Sequence, residues 1–256
     1  MFERVEARVD LDRIKANIKH LKDVSGTPVM AVVKADAYGH GLVPVAQAAL
    51  EAGASSLGVA LLEEAITLCK AGITAPILAW LVPPGSDFKL AVDNQIQLAA
   101  SSIKALEEIG AVKSEFRPKV HLEVDTGMTR GGFLDEWGKL DGHHVANLDV
   151  VGIFSHFARA DEPGEKQNQD QLNRFKEMVA TLESFGYTNI IRHLSNSAAT
   201  LNDEQSRFDM VRAGIAMYGL SPDVKTLGDS AVLGLKPAMQ LRAKLHLVKT
   251  VPANSP

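Results

Sequence analysis

The chain has one cysteine, Cys69, in 256 residues. A lone thiol excludes an intrachain disulfide and a zinc cluster built on cysteines. Cys69 sits in a helical pattern and reads as an inert thiol. Basic residues are not in excess: 27 Lys and Arg stand against 31 Asp and Glu, for a net charge of −4. Nothing in that balance points to nucleic acid or an anionic membrane as partner. No apolar run approaches the ~20 residues of a membrane span. The opening residues, Met1-Phe-Glu-Arg-Val-Glu6, lack the apolar stretch of a secretory signal. No metal site is predicted. The expectation is a soluble, cytoplasmic protein.

Hydrophobic residues make up 46% of the chain, enough for a sizeable core. The length fits one large α/β domain. Short apolar runs alternate with helical patterns throughout. Strands are predicted at Pro28–Lys34, Ser56–Ala60, Ala75–Trp80, Gln97–Ala100, Lys119–Asp125, Val150–Phe157 and Asn189–Leu194. The eighth lies within Phe208–Tyr218. Helical spacing marks Leu11–Val24, Val43–Ala52 and Leu61–Ala71, and Ser101 reads as the N-cap of a helix running to Ile109. Alternation of this kind argues for a parallel sheet. Eight strands argue for a (β/α)8 barrel with its working residues at the strand C-termini. An open doubly wound sheet is the alternative. It usually carries a Gly-rich dinucleotide turn after its first strand, and Gly39-His-Gly41 does not have that spacing.

The stretch Pro28-Val-Met-Ala-Val-Val-Lys-Ala-Asp-Ala-Tyr-Gly-His-Gly41 organises the rest. Its apolar half is a buried strand. Lys34 ends that strand, where a charge is costly unless paired or used. A Gly-containing turn and a helix follow. Other charges stand out in the same way. Lys119–Asp125 alternates, so His121, Glu123 and Asp125 share the face that points into a barrel. Arg130 follows in a loop and by itself reads as a surface residue. His156 lies opposite Ile153 and Phe157; Arg212 interrupts an apolar run and suits either an ion pair or a functional site. Asn196 and Ser197 fit a turn and helix cap, or an anion site at a helix start.

Val-Val-Lys-Ala-Asp-Ala-Tyr-Gly-His-Gly closely resembles the pyridoxal 5'-phosphate (PLP) lysine motif of the alanine racemase family. Asp125-Thr-Gly-Met-Thr-Arg130, Ser155-His-Phe-Ala-Arg-Ala-Asp161, His193-Leu-Ser-Asn-Ser197 and Val211-Arg-Ala-Gly-Ile-Ala-Met-Tyr-Gly-Leu-Ser-Pro222 resemble it as well. The resemblance covers the chain from about Arg8 onward. It implies that Lys34 forms the Schiff base with PLP and acts as one catalytic base. Tyr38, Ser197, Gly214 and Ile215 are then phosphate ligands, and His156 lies close to the cofactor. Arg212 faces the pyridine nitrogen, in a relay with His156, His193 and Glu63. Arg130 contacts the substrate carboxylate, and Asn196 stands beside the site. The family often has a carbamylated lysine where this chain has Glu123, whose carboxylate supplies the same negative charge beside Arg130. The implied reaction is interconversion of L-alanine and D-alanine, the latter for peptidoglycan, in a homodimer. The second base is, in the family, a tyrosine of the partner subunit's β-domain.

Character changes after Tyr218. Residues 221–236 read as a connection, and Ala238–Val251 alternates like one strand of an antiparallel sheet with a wet face. The predicted division is residues 1–236 for the barrel and 237–256 for the start of a truncated C-terminal β-domain. On that reading the chain is an incomplete racemase. The alternative is a single-domain PLP carrier without racemase activity.

Overall fold

A computed structural model of the chain describes residues 4–255. Residues 1–3 and 256, the outer ends of the two predicted segments, lie outside the described residues. Among the described residues there are ten strands: β1 (Val5–Val9), β2 (Val29–Val32), β3 (Ser56–Val59), β4 (Ile77–Ala79), β5 (Gln97–Ala100), β6 (Lys119–Glu123), β7 (Asp149–Phe154), β8 (Ile191–His193), β9 (Val211–Ala213) and β10 (Met239–Ala243). Strands β2 to β9 form one parallel sheet in the order β8-β7-β6-β5-β4-β3-β2-β9. They correspond to the eight strands predicted from sequence.

The two ends of that sheet meet. Asp209 N–H donates to the carbonyl of Arg192 at 3.1 Å, and Arg212 N–H donates to that of Ser195 at 3.0 Å. The result is a nearly closed barrel. Alternation along each strand divides its side chains between two cores. Val29, Ala31 and Val33 join the large cluster under the helices, whereas Met30 packs with Leu78, Ala99, Phe154 and Met210 in a small separate cluster. Gly58 leaves room for Trp80 beside Met30: a Cβ there would lie 2.5 Å from the indole.

Local signals set the helix ends. Asp10 caps the first helix (Leu11–Ser25) by accepting from the amides of Asp12 and Arg13, and Gly26 closes it at φ 65°. One cap needs correction. The cap of the helix Ile103–Gly110 is Ser102, not Ser101; its hydroxyl accepts from Ala105 N. A capping hydroxyl must reach an amide three residues on, and Ser101 sits one position too early.

Strands β1 and β10 make a separate antiparallel pair, with Ala7 opposite Leu241. The predicted strand Ala238–Val251 is therefore real but shorter, and its partner comes from the other end of the chain. Val5–Val9 falls within the 1–236 segment yet pairs outside the barrel. Val5 and Leu241, on the same face of the pair, are 71% and 75% exposed, so this pair has a wet, apolar face. Among the described residues no helix is long and apolar enough to cross a membrane.

Candidate active site

Lys34 follows β2 at the C-terminal mouth of the barrel. The next four residues, Ala35, Asp36, Ala37 and Tyr38, all have left-handed backbone, with φ of 54°, 51°, 54° and 55°. The sequence suggests that the glycines make this turn. Instead four non-glycine residues make it, at a cost of about 1–2 kcal/mol each. One tertiary and two local hydrogen bonds hold it. Ala35 N–H donates to Glu64 Oε1 at 2.5 Å, Ala37 N–H to the carbonyl of Val33 at 2.9 Å, and Leu42 N–H to Asp36 Oδ1 at 2.8 Å. The turn brings Tyr38 back under the lysine, with Lys34 Nζ 5.9 Å from the Tyr38 ring centroid.

Glu63 does not join the Arg212 relay. Its side chain is exposed. Its neighbour Glu64 faces inward and also accepts from Ala60 N and Leu61 N, at 2.9 and 3.0 Å. Successive helical residues point about 100° apart, so only one of the two can face the barrel.

Arg212, on β9, is 5% exposed. Its Nη1 donates to the carbonyl of His193 at 2.8 Å and approaches His193 Nδ1 at 3.3 Å. Its Nη2 donates to the carbonyl of Ser155 at 2.7 Å and lies 3.1 Å from His156 Nδ1. The structure brings His156, Arg212 and His193 into hydrogen-bond contact. Burial lowers the Arg212 pKa to about 10, which leaves it charged at neutral pH; Glu123 opposes that shift and Arg130 adds to it. Burial, followed by the positive charge of Arg212, takes His156 down to about 3, so it is neutral. Burial, then His121 and Arg212, likewise holds His193 neutral. Sequence reasoning missed how far the chain runs. His193 Nε2 is 2.9 Å from His121 Nδ1, and His121 Nε2 is 2.9 Å from Gln97 Oε1. The inward parity of His121 signalled its place; nothing signalled Gln97.

Opposite Lys34 lies a small polar cradle. Asn196 caps the helix Ser197–Asn202 by accepting from Ala199 N. Ser197 Oγ accepts from Gly214 N at 2.9 Å and Ala216 N at 3.2 Å. Gly214 therefore contributes through its missing side chain: a Cβ would stand 2.9 Å from the Tyr38 hydroxyl and 3.7 Å from Ser197 Oγ. The amide of Ile215 has no partner among the described residues. Two hydroxyls and a free amide around a glycine fit a phosphate.

Arg130 and Glu123 line the same cavity, of about 340 Å³, as Lys34, Tyr38, His156 and Arg212. Arg130 and Glu123 make no direct ion pair. Burial raises the Glu123 pKa, and the charges of Arg212 and Arg130 partly oppose that rise. Tyr218 is sealed away from the cavity; its hydroxyl donates to the carbonyl of Val32 at 2.8 Å.

A strand-end lysine, an anion cradle and a buried arginine at one barrel mouth define a lysine-dependent barrel enzyme. Residues 9–222 match the family described as "Alanine racemase, N-terminal domain". The alanine racemase of Salinispora tropica is 46% identical over 260 residues, covering 98% of this chain and 68% of that protein. That of Beutenbergia cavernae is 47% identical, covering 96% and 67%. The crystal structure of alanine racemase from D-cycloserine producing Streptomyces lavendulae superposes with a TM-score of 0.95 at 44% identity, covering 100% of this chain and 69% of that one. The chain belongs to the alanine racemase family.

Proposed function

We propose that this barrel binds PLP and performs the lysine half of L-alanine and D-alanine interconversion. The observation that carries this reading is the shared cavity of Lys34, Arg212 and the Tyr38–Ser197–Ile215 cradle. The cradle residues would hold the phosphate, Lys34 the aldehyde carbon and Arg212 the ring nitrogen. PLP, when bound, withdraws electrons from the amino acid's α-carbon and so makes its proton removable.

The protein's own groups do the rest. Arg130 binds the substrate carboxylate by its two-pronged guanidinium. Lys34 Nζ takes the α-proton from one face and returns one to the same face in the reverse direction. Arg212 is a permanent donor and has no proton to give the ring nitrogen at neutral pH. His156 and His193, both neutral, accept from Arg212 without adding charge. Glu123 supplies negative charge that tempers Arg130 and Arg212.

The opposite face needs its own acid. Tyr218 is committed to Val32, and the family resemblance points to a β-domain tyrosine of the partner subunit in a homodimer as the second group. The product D-alanine serves peptidoglycan synthesis in the cytoplasm. The test is borohydride reduction in the presence of PLP, followed by peptide mapping. Label on Lys34 is expected. Label on another lysine, or none, rejects the assignment.

A further inference from the structure

The side chains Gln97, His121, His193 and Arg212 form a column across the barrel interior, from the first residue of β5 to the cavity. Each step is a hydrogen-bond contact: 2.9 Å from Gln97 Oε1 to His121 Nε2, 2.9 Å from His121 Nδ1 to His193 Nε2, and 3.3 Å from His193 Nδ1 to Arg212 Nη1. The chain makes room for it. His121 and Gly152 are opposite each other in the β6–β7 register. A Cβ on Gly152 would lie 2.2 Å from His121 Nδ1. Phe154 stacks on the other ring, with its centroid 5.0 Å from that of His193 and an interplanar angle of 12°.

Donor chemistry permits only one polarity. A guanidinium donates and cannot accept, so His193 Nδ1 must be the bare nitrogen. A neutral His193 then carries its proton on Nε2 and donates to His121 Nδ1. His121 in turn carries its proton on Nε2 and donates to Gln97, which must present its oxygen. Turning the Gln97 amide over would reverse every step and set two N–H groups against each other at Arg212. Both histidines are buried against a fixed positive charge, which keeps them neutral.

We propose that Gln97 is a positioning residue for Arg212, acting through the single-polarity column His121–His193. Arg212 sets the polarity at one end, and the Gln97 amide oxygen closes it at the other by accepting from His121 Nε2. His193 then meets Arg212 with an acceptor instead of a donor. Arg212 is thereby held from the side remote from the substrate. The proposal takes its importance from the reading of Arg212 as the cofactor's partner, but its test needs no cofactor.

The experiment uses the full chain with ¹⁵N-labelled histidine and arginine, read by long-range ¹H–¹⁵N correlation. His121 and His193 are each expected as a single neutral Nε2–H tautomer at neutral pH. A protonated or Nδ1–H form of either overturns the proposal. In Gln97→Leu the lock is lost: His121 shows both tautomers, and the Arg212 Nε resonance shifts. Gln97→Glu keeps an oxygen acceptor and retains the single tautomer. A Gln97→Leu protein in which His121 keeps its single tautomer and the Arg212 resonance does not move would remove Gln97 from any positioning role. General loss of stability does not move these resonances selectively. If the tautomers are as stated and borohydride fails to label Lys34, the column stands and the functional reading falls.

Discussion

The carboxylate of Glu64 accepts the amide proton of Ala35 at 2.5 Å, and Ala35 is the residue directly after Lys34. The same carboxylate binds the amides of Ala60 and Leu61. One side chain thus ties the left-handed turn of the lysine to the loop after β3. Glu64→Ala should leave three amides without their acceptor; the bonds from Ala35 and Leu61 are exposed and that from Ala60 is part-buried. A loss of about 0.5–1.5 kcal/mol is expected, read by urea unfolding, together with slower borohydride labelling of Lys34. Stability within about 0.5 kcal/mol of wild type would mean that water replaces the carboxylate and that the turn holds itself.

Gly214→Ala tests the cradle. The added methyl would meet the Tyr38 hydroxyl at 2.9 Å, so Tyr38 must move from the anion site. PLP affinity should fall about tenfold or more, equivalent to ~1.4 kcal/mol, with little change in the unfolding midpoint. Absorbance titration measures the first and thermal unfolding the second. Unchanged affinity would place the phosphate elsewhere.

Most of this site was legible because strand ends and strand parity are simple periodic signals. Lys34, Glu123 and Arg212 each break an apolar pattern at a strand, and period two alone puts His121 and Glu123 on the inner face. What escaped depends on contacts remote in sequence. Glu63 and Glu64 are equally good helix residues, and only the packed turn after Lys34 distinguishes them. Ala-Asp-Ala-Tyr has no feature that announces left-handed backbone; a remote acceptor, Glu64, holds it together with local bonds to Val33 and Asp36. The pairing of β1 with β10 joins the two ends of the chain, and no local pattern encodes such a partner. Gly152 looks like an ordinary strand glycine until His121 is opposite it.

Glu123→Gln separates charge from shape beside the substrate arginine. Glu123 and Arg130 share the cavity without a direct ion pair, so the coupling is longer-range. In the holoenzyme the KM for alanine should rise by less than about tenfold, since ~1.4 kcal/mol is a generous limit for such a contact. The effect should not depend on added bicarbonate, because no lysine carbamate is involved. Kinetics identical to wild type would leave Glu123 without this role.

Acid should destabilise the fold before its carboxylates titrate. His121 and His193 are 1% and 0% exposed. Burial, and then the charge of Arg212, takes His121 from 6.5 down to about 3; burial, and then His121 and Arg212, takes His193 in the same direction. A histidine with a depressed folded pKa binds its proton more readily in the unfolded chain. Below about pH 6.5 the unfolded state therefore takes up protons that the folded state refuses, and stability falls as pH falls. The loss continues until the folded pKa is reached. Each group contributes up to about 1.4 kcal/mol per pH unit once well below its unfolded pKa. Glu123 acts in the opposite sense: its raised pKa favours the folded state as pH falls toward the unfolded value of 4.5, so it offsets part of the histidine effect in the same range. Between about pH 6.5 and 4.5 three depressed histidines, His121, His193 and His156, oppose this one carboxylate, so the net slope follows the histidines. Urea unfolding at several pH values in that window should give a stability that rises with pH. His121→Gln should reduce the slope by up to ~1.4 kcal/mol per pH unit, whatever it does to absolute stability. A flat wild-type profile, or an unchanged slope in the variant, would mean that these rings are not held neutral in the folded barrel.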